Sequence, residues 1–444
     1  MKGIRELAAK IRGGVNIPHF KNTEESESVK MSAPSTVILP MQQHIGPACK
    51  PVVKAGDRVA VGQVVGDTDA FQSAPIHATV SGEVRAILPF LSEDSQVDAI
   101  HIQNDGKGTL YSEIKKPEVK NRYDFLRAVR QSGVVGAGGA GFPTHAKLTL
   151  KEGVEINTLV INGAECEPYI TTDYREIMEN YAHVLAGIEC VMEYIEISNC
   201  IIGIEGNKPK TISLLADEIA ARGIQNRVSV VELPAHYPYG AEKMLVLAVT
   251  GRTVPLGGLP CDVGVIVLNI STISALSRYL ETGIPLIQKR ITVAGGAIAK
   301  PQNVLVPIGT PIRDVVDFCG GYIQEPEKVI VGGPMMGVAQ QDCEAPIVKQ
   351  NNAILCLTAK ENRFPQAQPC IRCGRCTQAC PMNIMPVLIE RHVDRNNAVM
   401  LNKLSVSGCM ECGSCAYVCP AGRQLVQCMR QGKQIERKAA RENA

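Results

Sequence analysis

Aromatic side chains are scarce in this chain. It has no Trp and 7 Phe, and Phe, Tyr and Trp together make up 4% of its 444 residues. Stacking platforms for single-stranded nucleic acid are therefore missing. A net charge of +2 offers no basic footprint either, so no nucleic-acid partner is expected. No uncharged apolar run reaches the ~18 residues of a membrane span, so no transmembrane helix of its own is expected. The nearest candidate, Val263 to Leu276, is interrupted by Asn269, Ser271, Thr272 and Ser274. The N-terminal MKGIRELAAKIRGG has basic residues but no apolar stretch behind them, and does not read as a signal peptide. No Ser/His/Asp or Cys/His set is evident, so no catalytic side chain is assigned; His145 reads as a packing or hydrogen-bonding residue.

Cysteine, in contrast, is concentrated. Eight of the 17 cysteines fall in two runs of one spacing, Cys370-x₂-Cys373-x₂-Cys376-x₃-Cys380-Pro381 and Cys409-x₂-Cys412-x₂-Cys415-x₃-Cys419-Pro420. This is the bacterial ferredoxin pattern for two [4Fe–4S] clusters, in which the fourth cysteine of each run ligates the other cluster. One cluster is assigned to Cys370, Cys373, Cys376 and Cys419, the other to Cys409, Cys412, Cys415 and Cys380. Gly374 and Gly413 let the backbone fold around each cube. Structural zinc also uses C-x₂-C pairs, but from two separated pairs per site, which fits a twice-given CxxCxxCxxxCP run poorly. The other nine cysteines show no disulfide framework, consistent with a reducing compartment.

Hydrophobic content of 45% with 20% charged residues describes a multidomain globular chain. Residues 1–33 read as an N-terminal arm whose polar run KNTEESESVK is an exposed loop. Residues 34–115 hold short β-rich pieces broken by Gly and Pro. VVKAGDRVAVGQVVGD followed by APIHATVSGEVRAIL looks like the barrel-sandwich hybrid of lipoyl and biotin carriers, yet the tip DTDAFQSAPIHATVSG has no lysine, so covalent cofactor loading is not expected. Residues 116–285 alternate strand and helix patterns, an α/β domain. Residues 286–356 suggest a β-grasp around the helix IRDVVDFC. Residues 357–430 form the two-cluster α-helical domain, and 431–444 a C-terminal tail.

The loop Gly136-Ala137-Gly138-Gly139-Ala140-Gly141-Phe142-Pro143-Thr144-His145-Ala146-Lys147 is the second strong feature. Its glycines let backbone N–H groups approach a phosphate or flat ring, with Lys147 as the nearby cation. The segment Ile161-Asn162-Gly163-Ala164-Glu165-Cys166-Glu167-Pro168-Tyr169-Ile170-Thr171-Thr172-Asp173 then places polar groups at the C-terminal end of a strand, the usual ligand position in an open α/β sheet.

These segments resemble the NADH-binding flavoprotein subunit of respiratory complex I. GAGGAGFPTHAK is similar to its G-R-G-G-A-G-F-P-T-G-x-K flavin loop, and INGAECEP to its C-N-A-D-E-x-E-P segment. Tyr237-Pro238-Tyr239-Gly240-Ala241-Glu242 resembles its Y-x-x-G-E-E, and Leu268 to Thr272 its N-N-V-E-T, in the same order. The resemblance implies FMN contacts from Gly136, Gly138, Gly139, Gly141, Lys147, Asn162, Asn269 and Thr272. It implies NAD(H) contacts from Phe142, Glu165, Glu167, Tyr237 and Glu242. Ala164 and Ala241 stand where that family has acidic residues.

The whole order sharpens the match. A barrel-sandwich, a complex-I-flavoprotein-like α/β domain, a soluble-ligand-binding β-grasp and two ferredoxin-type clusters together resemble the RnfC family, the C-type subunits of the Rnf complex. The opening Gly13-Gly14-Val15-x₂-Pro18 is similar to that family's G-G-x-H-P-P. The resemblance implies a ferredoxin:NAD oxidoreductase subunit that moves electrons between two [4Fe–4S] clusters, FMN and NAD. The parent complex translocates Na⁺ or H⁺. It further implies a peripheral position on the cytoplasmic side of the cell membrane. The implied partners are the other Rnf subunits, the membrane-embedded ones and an iron–sulfur subunit among them, with ferredoxin reached indirectly. The alternatives are a cobalamin reductase of the diol-utilisation type, whose glycine loop lies near the N-terminus, and a non-enzymatic iron–sulfur electron-transfer subunit.

Overall fold

The computed structural model describes all residues except 1–3, 6–9, 93–94, 151–152, 363–365 and 443–444. Parts of the expected arm, cluster segment and tail thus lie outside the described residues.

Five parallel strands form the central sheet, in the order Ile4–Arg5, Val228–Leu233, Asn199–Glu205, Thr158–Asn162, Val265–Asn269. Thr158–Asn162 and Val265–Asn269, at the centre of the site, are nearly continuous apolar runs, as strands buried on both faces must be. Leu159, Ile161, Ile202 and Leu268 pack under the helices Thr172–Tyr194 and Ile270–Thr282. Val160, Ile201 and Val267 pack on the opposite face against Glu242–Thr250. The chain runs outward from Thr158–Asn162 and returns to place Val265–Asn269 on that strand's other side, so the strand order reverses there. A crevice outside the carboxyl ends of such a pair is where open α/β sheets bind ligands.

Two small antiparallel sheets precede it. One has the order Thr36–Pro40, Ser95–Asn104, Gly82–Ser92, Arg58–Val59, and the other joins Lys50–Pro51, Val64–Asp67 and Ile76–His77 around one core. A six-stranded mixed sheet follows, wrapped on the helix Ile312–Phe318. Its edge strand Val29–Lys30 comes from the N-terminal arm and pairs in parallel with Gln302–Pro307. The polar run 21–30 is largely exposed, as its composition predicts, with Asn22, Glu25, Ser26 and Glu27 facing solvent, but the arm is anchored at single points. Thr23 is buried, and Gly14, Val15 and His19 bond to backbone at Ala379, Tyr237 and Tyr169. Such anchor points form where backbone groups are paired, and composition does not reveal that pairing.

The two cysteine segments repeat each other in backbone detail. Arg372 and Gly374 in the first, and Glu411 and Gly413 in the second, all have positive φ. Asn383 and Gly422, each three residues past a fourth cysteine, do as well. Short helices Arg375–Gln378 and Ser414–Tyr417 carry the third cysteines, and Pro386–Val393 and Leu425–Glu442 follow them. The tail is the end of this last helix, whose Leu425, Val426, Met429 and Gly432 are buried.

Candidate functional site

Asn162 and Asn269 end neighbouring strands in register, and the glycine loop lies over them. Their side chains are committed to backbone groups and, for Asn269, to Asp173. Asn269 Oδ1 accepts from Ser271 N and Thr272 N, capping the helix Ile270–Thr282, while its Nδ2 donates to Asp173 at 2.7 Å. Asn162 Nδ2 donates to Gly240 O at 2.8 Å, and its Oδ1 accepts from Ala164 N. Thr272 Oγ1 accepts from Ala137 N at 2.9 Å. A Cβ on Gly138 would sit 3.5 Å from Asn269 Nδ2, and Lys289, beneath the loop, donates to Ala137 O at 3.0 Å. These three residues thus shape the cradle; Lys147 instead pairs with Glu242 across it.

The loop itself fits an anionic, flat cofactor. Gly138, Gly139 and Ala140 are exposed, and among the described residues their N–H groups have no acceptor within the chain. Gly139 has φ +113° with open space where a Cβ would be. Gly136 and Gly141 close the turn, Gly136 N to Phe142 O and Gly141 N to Gly136 O. Consecutive unpaired N–H groups of this kind bind phosphate.

On the other side of the crevice stand Glu165 and Glu167. Glu165 has φ +51°, and its Oε1 accepts from Asp173 N at 2.6 Å, at the N-terminus of Thr172–Tyr194. Glu167 Oε2 accepts from Met335 N at 3.0 Å. Each keeps one enclosed carboxyl oxygen, Glu165 Oε2 and Glu167 Oε1, without a partner among the described residues. Burial raises both, Glu167 to about 7. Gly333 lies against the Glu167 carboxylate so closely that no side chain fits there. The loop GGPMMG (332–337), a β-rich segment to sequence reasoning, is therefore a wall of the site.

Tyr237 is buried beside Glu167 and Cys166, and it also reaches the cluster segment. Its ring is buried, and its hydroxyl donates to Cys412 O at 2.7 Å, joining the loop 237–242 to the second cysteine run. A buried hydroxyl must find a partner, and this one finds the cluster segment. Val15, Ile17, Cys166, Met335 and Met410 pack around the contact. Tyr237→Phe should leave the Cys412 carbonyl unpaired and cost about 1–3 kcal/mol, read as a lower Tm of the loaded chain. An unchanged Tm would remove the hydroxyl from the junction.

The cysteines separate by environment. Cys380, Cys412 and Cys415 are buried, whereas Cys370 and Cys373 are exposed. A small pocket is lined by Cys380, Cys409, Cys412 and Cys415 with Met382, Met410 and Met429. Cys380 lies within electrostatic reach of Cys409 and Cys415, and Cys376 of Cys419, the groupings that crossed ligation needs. Backbone N–H groups point at sulfur, Glu411 N to Cys409 Sγ at 3.3 Å and Arg372 N to Cys370 Sγ at 3.4 Å. Burial pushes the Cys409 thiol up to about 11. Among the described residues no three His, Cys, Asp or Glu side chains close up as a single ion requires. Sequence reasoning missed Lys21, Asp173 and Lys289. Only Asp173, beside a strand end at a helix start, carried a local signal.

Fold and site together define a multidomain flavin and iron–sulfur protein. Residues 129–278 match the Nuo51 FMN-binding domain, 9–107 the RnfC barrel sandwich hybrid domain, 290–339 the SLBB domain and 369–423 the 4Fe-4S dicluster domain. The chain is 43% identical over 85% of its length to the C-type subunit of the proton-translocating ferredoxin:NAD(+) oxidoreductase complex of Clostridium ljungdahlii, covering 83% of that protein. It is 40% identical over 87% to the corresponding subunit of the Na(+)-translocating ferredoxin:NAD(+) oxidoreductase complex of Acetobacterium woodii, covering 87% of it. The chain belongs to the RnfC family. The fold also resembles that of a chain of an NAD+-reducing [NiFe]-hydrogenase in the H2-reduced state, with a TM-score of 0.51 at 19% identity over 72% of this chain, which spans 63% of that one.

Proposed function

We propose that this chain is the nucleotide end of an ion-translocating ferredoxin:NAD oxidoreductase, moving electrons between two [4Fe–4S] clusters, FMN and NAD(H). The single observation that carries this reading is the Tyr237–Cys412 junction, which fastens the inner thiol pocket to the wall of the flavin crevice. A bound flavin exchanges two electrons with nicotinamide and one with a cluster, so it links the two carriers. On this reading Gly136, Gly138, Gly139 and Gly141 form the flavin cradle with Lys147 at its rim. Asn162, Asn269 and Thr272 hold that cradle in shape. Phe142, Glu165, Glu167 and Glu242 face the nucleotide, with the two carboxylates accepting hydroxyl hydrogens and neither moving a proton.

The thiol sets fall in series. Cys409, Cys412, Cys415 and Cys380 stand next to the crevice, and Cys370, Cys373, Cys376 and Cys419 stand outside, where the exposed pair admits a partner's redox centre. The barrel-sandwich (34–115), α/β (116–285), β-grasp (286–356) and cluster (357–430) units act as one support for this line. Among the described residues no helix is long and apolar enough to cross a membrane. Membrane attachment therefore comes through the other subunits of the complex, on its cytoplasmic face, with ferredoxin reached through an iron–sulfur subunit.

Anaerobic titration of the reconstituted chain with NADH tests the reading. The visible flavin band should bleach, followed by reduction of the clusters. A flavin that NADH leaves oxidised would sink the proposal, and corrinoid reduction by the isolated chain would favour a cobalamin reductase.

A further inference from the structure

We propose that Lys21, on the N-terminal arm, is a positioning residue that fixes the acidic loop 165–170 and supplies the positive charge behind the Glu165 carboxylate. The inference rests on the nucleotide reading of that loop given above. Lys21 Nζ donates to Glu165 O at 2.9 Å, Glu167 O at 2.8 Å and Ile170 O at 2.5 Å. All three ammonium hydrogens are thereby used, each on the loop that carries the two glutamates.

The neighbouring arm residues reinforce the clamp. Tyr169 N donates to His19 O, Phe20 stacks on Tyr169 with ring centroids 5.0 Å apart, and Thr23 bonds Thr171 at 2.6 Å. The loop needs such support, because Glu165 and Tyr169 both hold positive φ, a conformation that strains a non-glycine residue.

Charge balance points the same way. The charged groups acting on Glu165 are Lys21, Asp173 and Lys208. Lys208 is matched by Glu205, at 3.2 Å in a fully buried ion pair, and also donates to Ala164 O. Asp173 opposes ionisation of Glu165. Lys21 is therefore the cation left to hold Glu165 anionic, the form whose oxygens only accept hydrogen bonds and so suit the hydroxyls of a ribose. Burial in turn depresses Lys21, and Glu165 and Glu205 partly restore it.

The test is NADH-dependent flavin reduction by the flavin- and cluster-loaded chain, measured across pH for wild type, Lys21→Met and Lys21→Arg. Lys21→Met should raise KM for NADH about tenfold near neutral pH with little change in kcat or flavin content. The defect should shrink as pH rises, because Glu165 without its cation ionises only at higher pH. Lys21→Arg keeps the charge but not the three-carbonyl fit, so its KM should rise while its pH midpoint stays with wild type. An unchanged KM in Lys21→Met, or a defect equal at all pH values, overturns the inference. If Lys21→Met does not hold its cofactors, a shifted midpoint in Lys21→Arg overturns it instead. Wild type that fails to respond to NADH overturns the nucleotide reading itself, a separate outcome.

Discussion

Cys380→Ala is expected to abolish the cluster nucleated by the second cysteine run and to spare the one nucleated by its own. The reason is spatial. Cys380 ends the first run in sequence, but it lines one pocket with Cys409, Cys412 and Cys415. Its backbone is also enclosed, since a Cβ on Gly13 would lie 2.8 Å from the Cys380 carbonyl carbon and Gly14 N bonds Ala379 O at 2.9 Å. The backbone is thereby held with this thiol among those of the second run. Iron content should fall by about half, as expected for two equal four-iron clusters. NADH should still bleach the flavin, but electrons should no longer reach an external one-electron acceptor. Cys419→Ala is the mirror experiment and should remove the outer cluster instead. Iron analysis with electron paramagnetic resonance of the reduced chain reads both; each change affecting only the cluster of its own run would refute the crossing.

Asp173→Leu is expected to weaken flavin binding at least tenfold while leaving both clusters in place. Asp173 touches no glycine of the cradle. It accepts from Asn269 Nδ2 and from Ser271 Oγ, both at 2.7 Å, and its own N–H binds Glu165 Oε1. Asn269 in turn caps the helix whose Thr272 fastens Ala137. Removing the carboxylate frees Asn269 to turn, and the loop loses its floor at Gly138. Each hydrogen bond to a charged group contributes about 1.5–3 kcal/mol, and about 1.4 kcal/mol is a decade in affinity. Two such bonds are lost. Burial holds this carboxyl above the usual range, and its bonds to Ser271 and Asn269 pull it down again, so it stays a sensitive point of the network. Fluorescence titration with FMN, beside iron analysis, measures the effect. An unaltered Kd for FMN would show that the glycine loop holds its shape without this network.

Much of the architecture was legible in the chain. Strands such as Thr158–Asn162 and Val265–Asn269 are runs of β-branched and aliphatic residues, and the amphipathic pattern ISLLADEIAARG (212–223) falls on the helix Pro209–Ala221, which starts three residues earlier and ends two earlier. The glycine loop announced itself by composition alone. The role of its polar companions did not. Asn162, Asn269 and Thr272 look from sequence like ligand contacts, yet their hydrogen bonds run to backbone and to Asp173, because strand-end loops must satisfy their own polar groups. Tyr237 stands beside Glu167, and its bond to the cluster segment left no signal in the sequence. The tip of the barrel-sandwich, unremarkable once it lacks lysine, docks on the flavin domain through Arg130–Asp67 and through Phe71 O, which bonds His145 Nε2 at 2.8 Å.

What the sequence by itself determined is chemistry that local spacing suffices to build. Two cysteine runs with a glycine at the same place in each dictate two clusters, since three thiolates converge from one turn. The glycine loop likewise brings its own unpaired N–H groups, although Thr272 and Lys289, far away in sequence, fasten it at Ala137. Only the tertiary structure decided how these parts are joined. Lys21 meets Glu165 across 144 positions of sequence, and Tyr237 meets Cys412 across 175. Contacts of that span obey packing and the demand that buried polar groups be paired, and neither leaves a periodic trace in the chain.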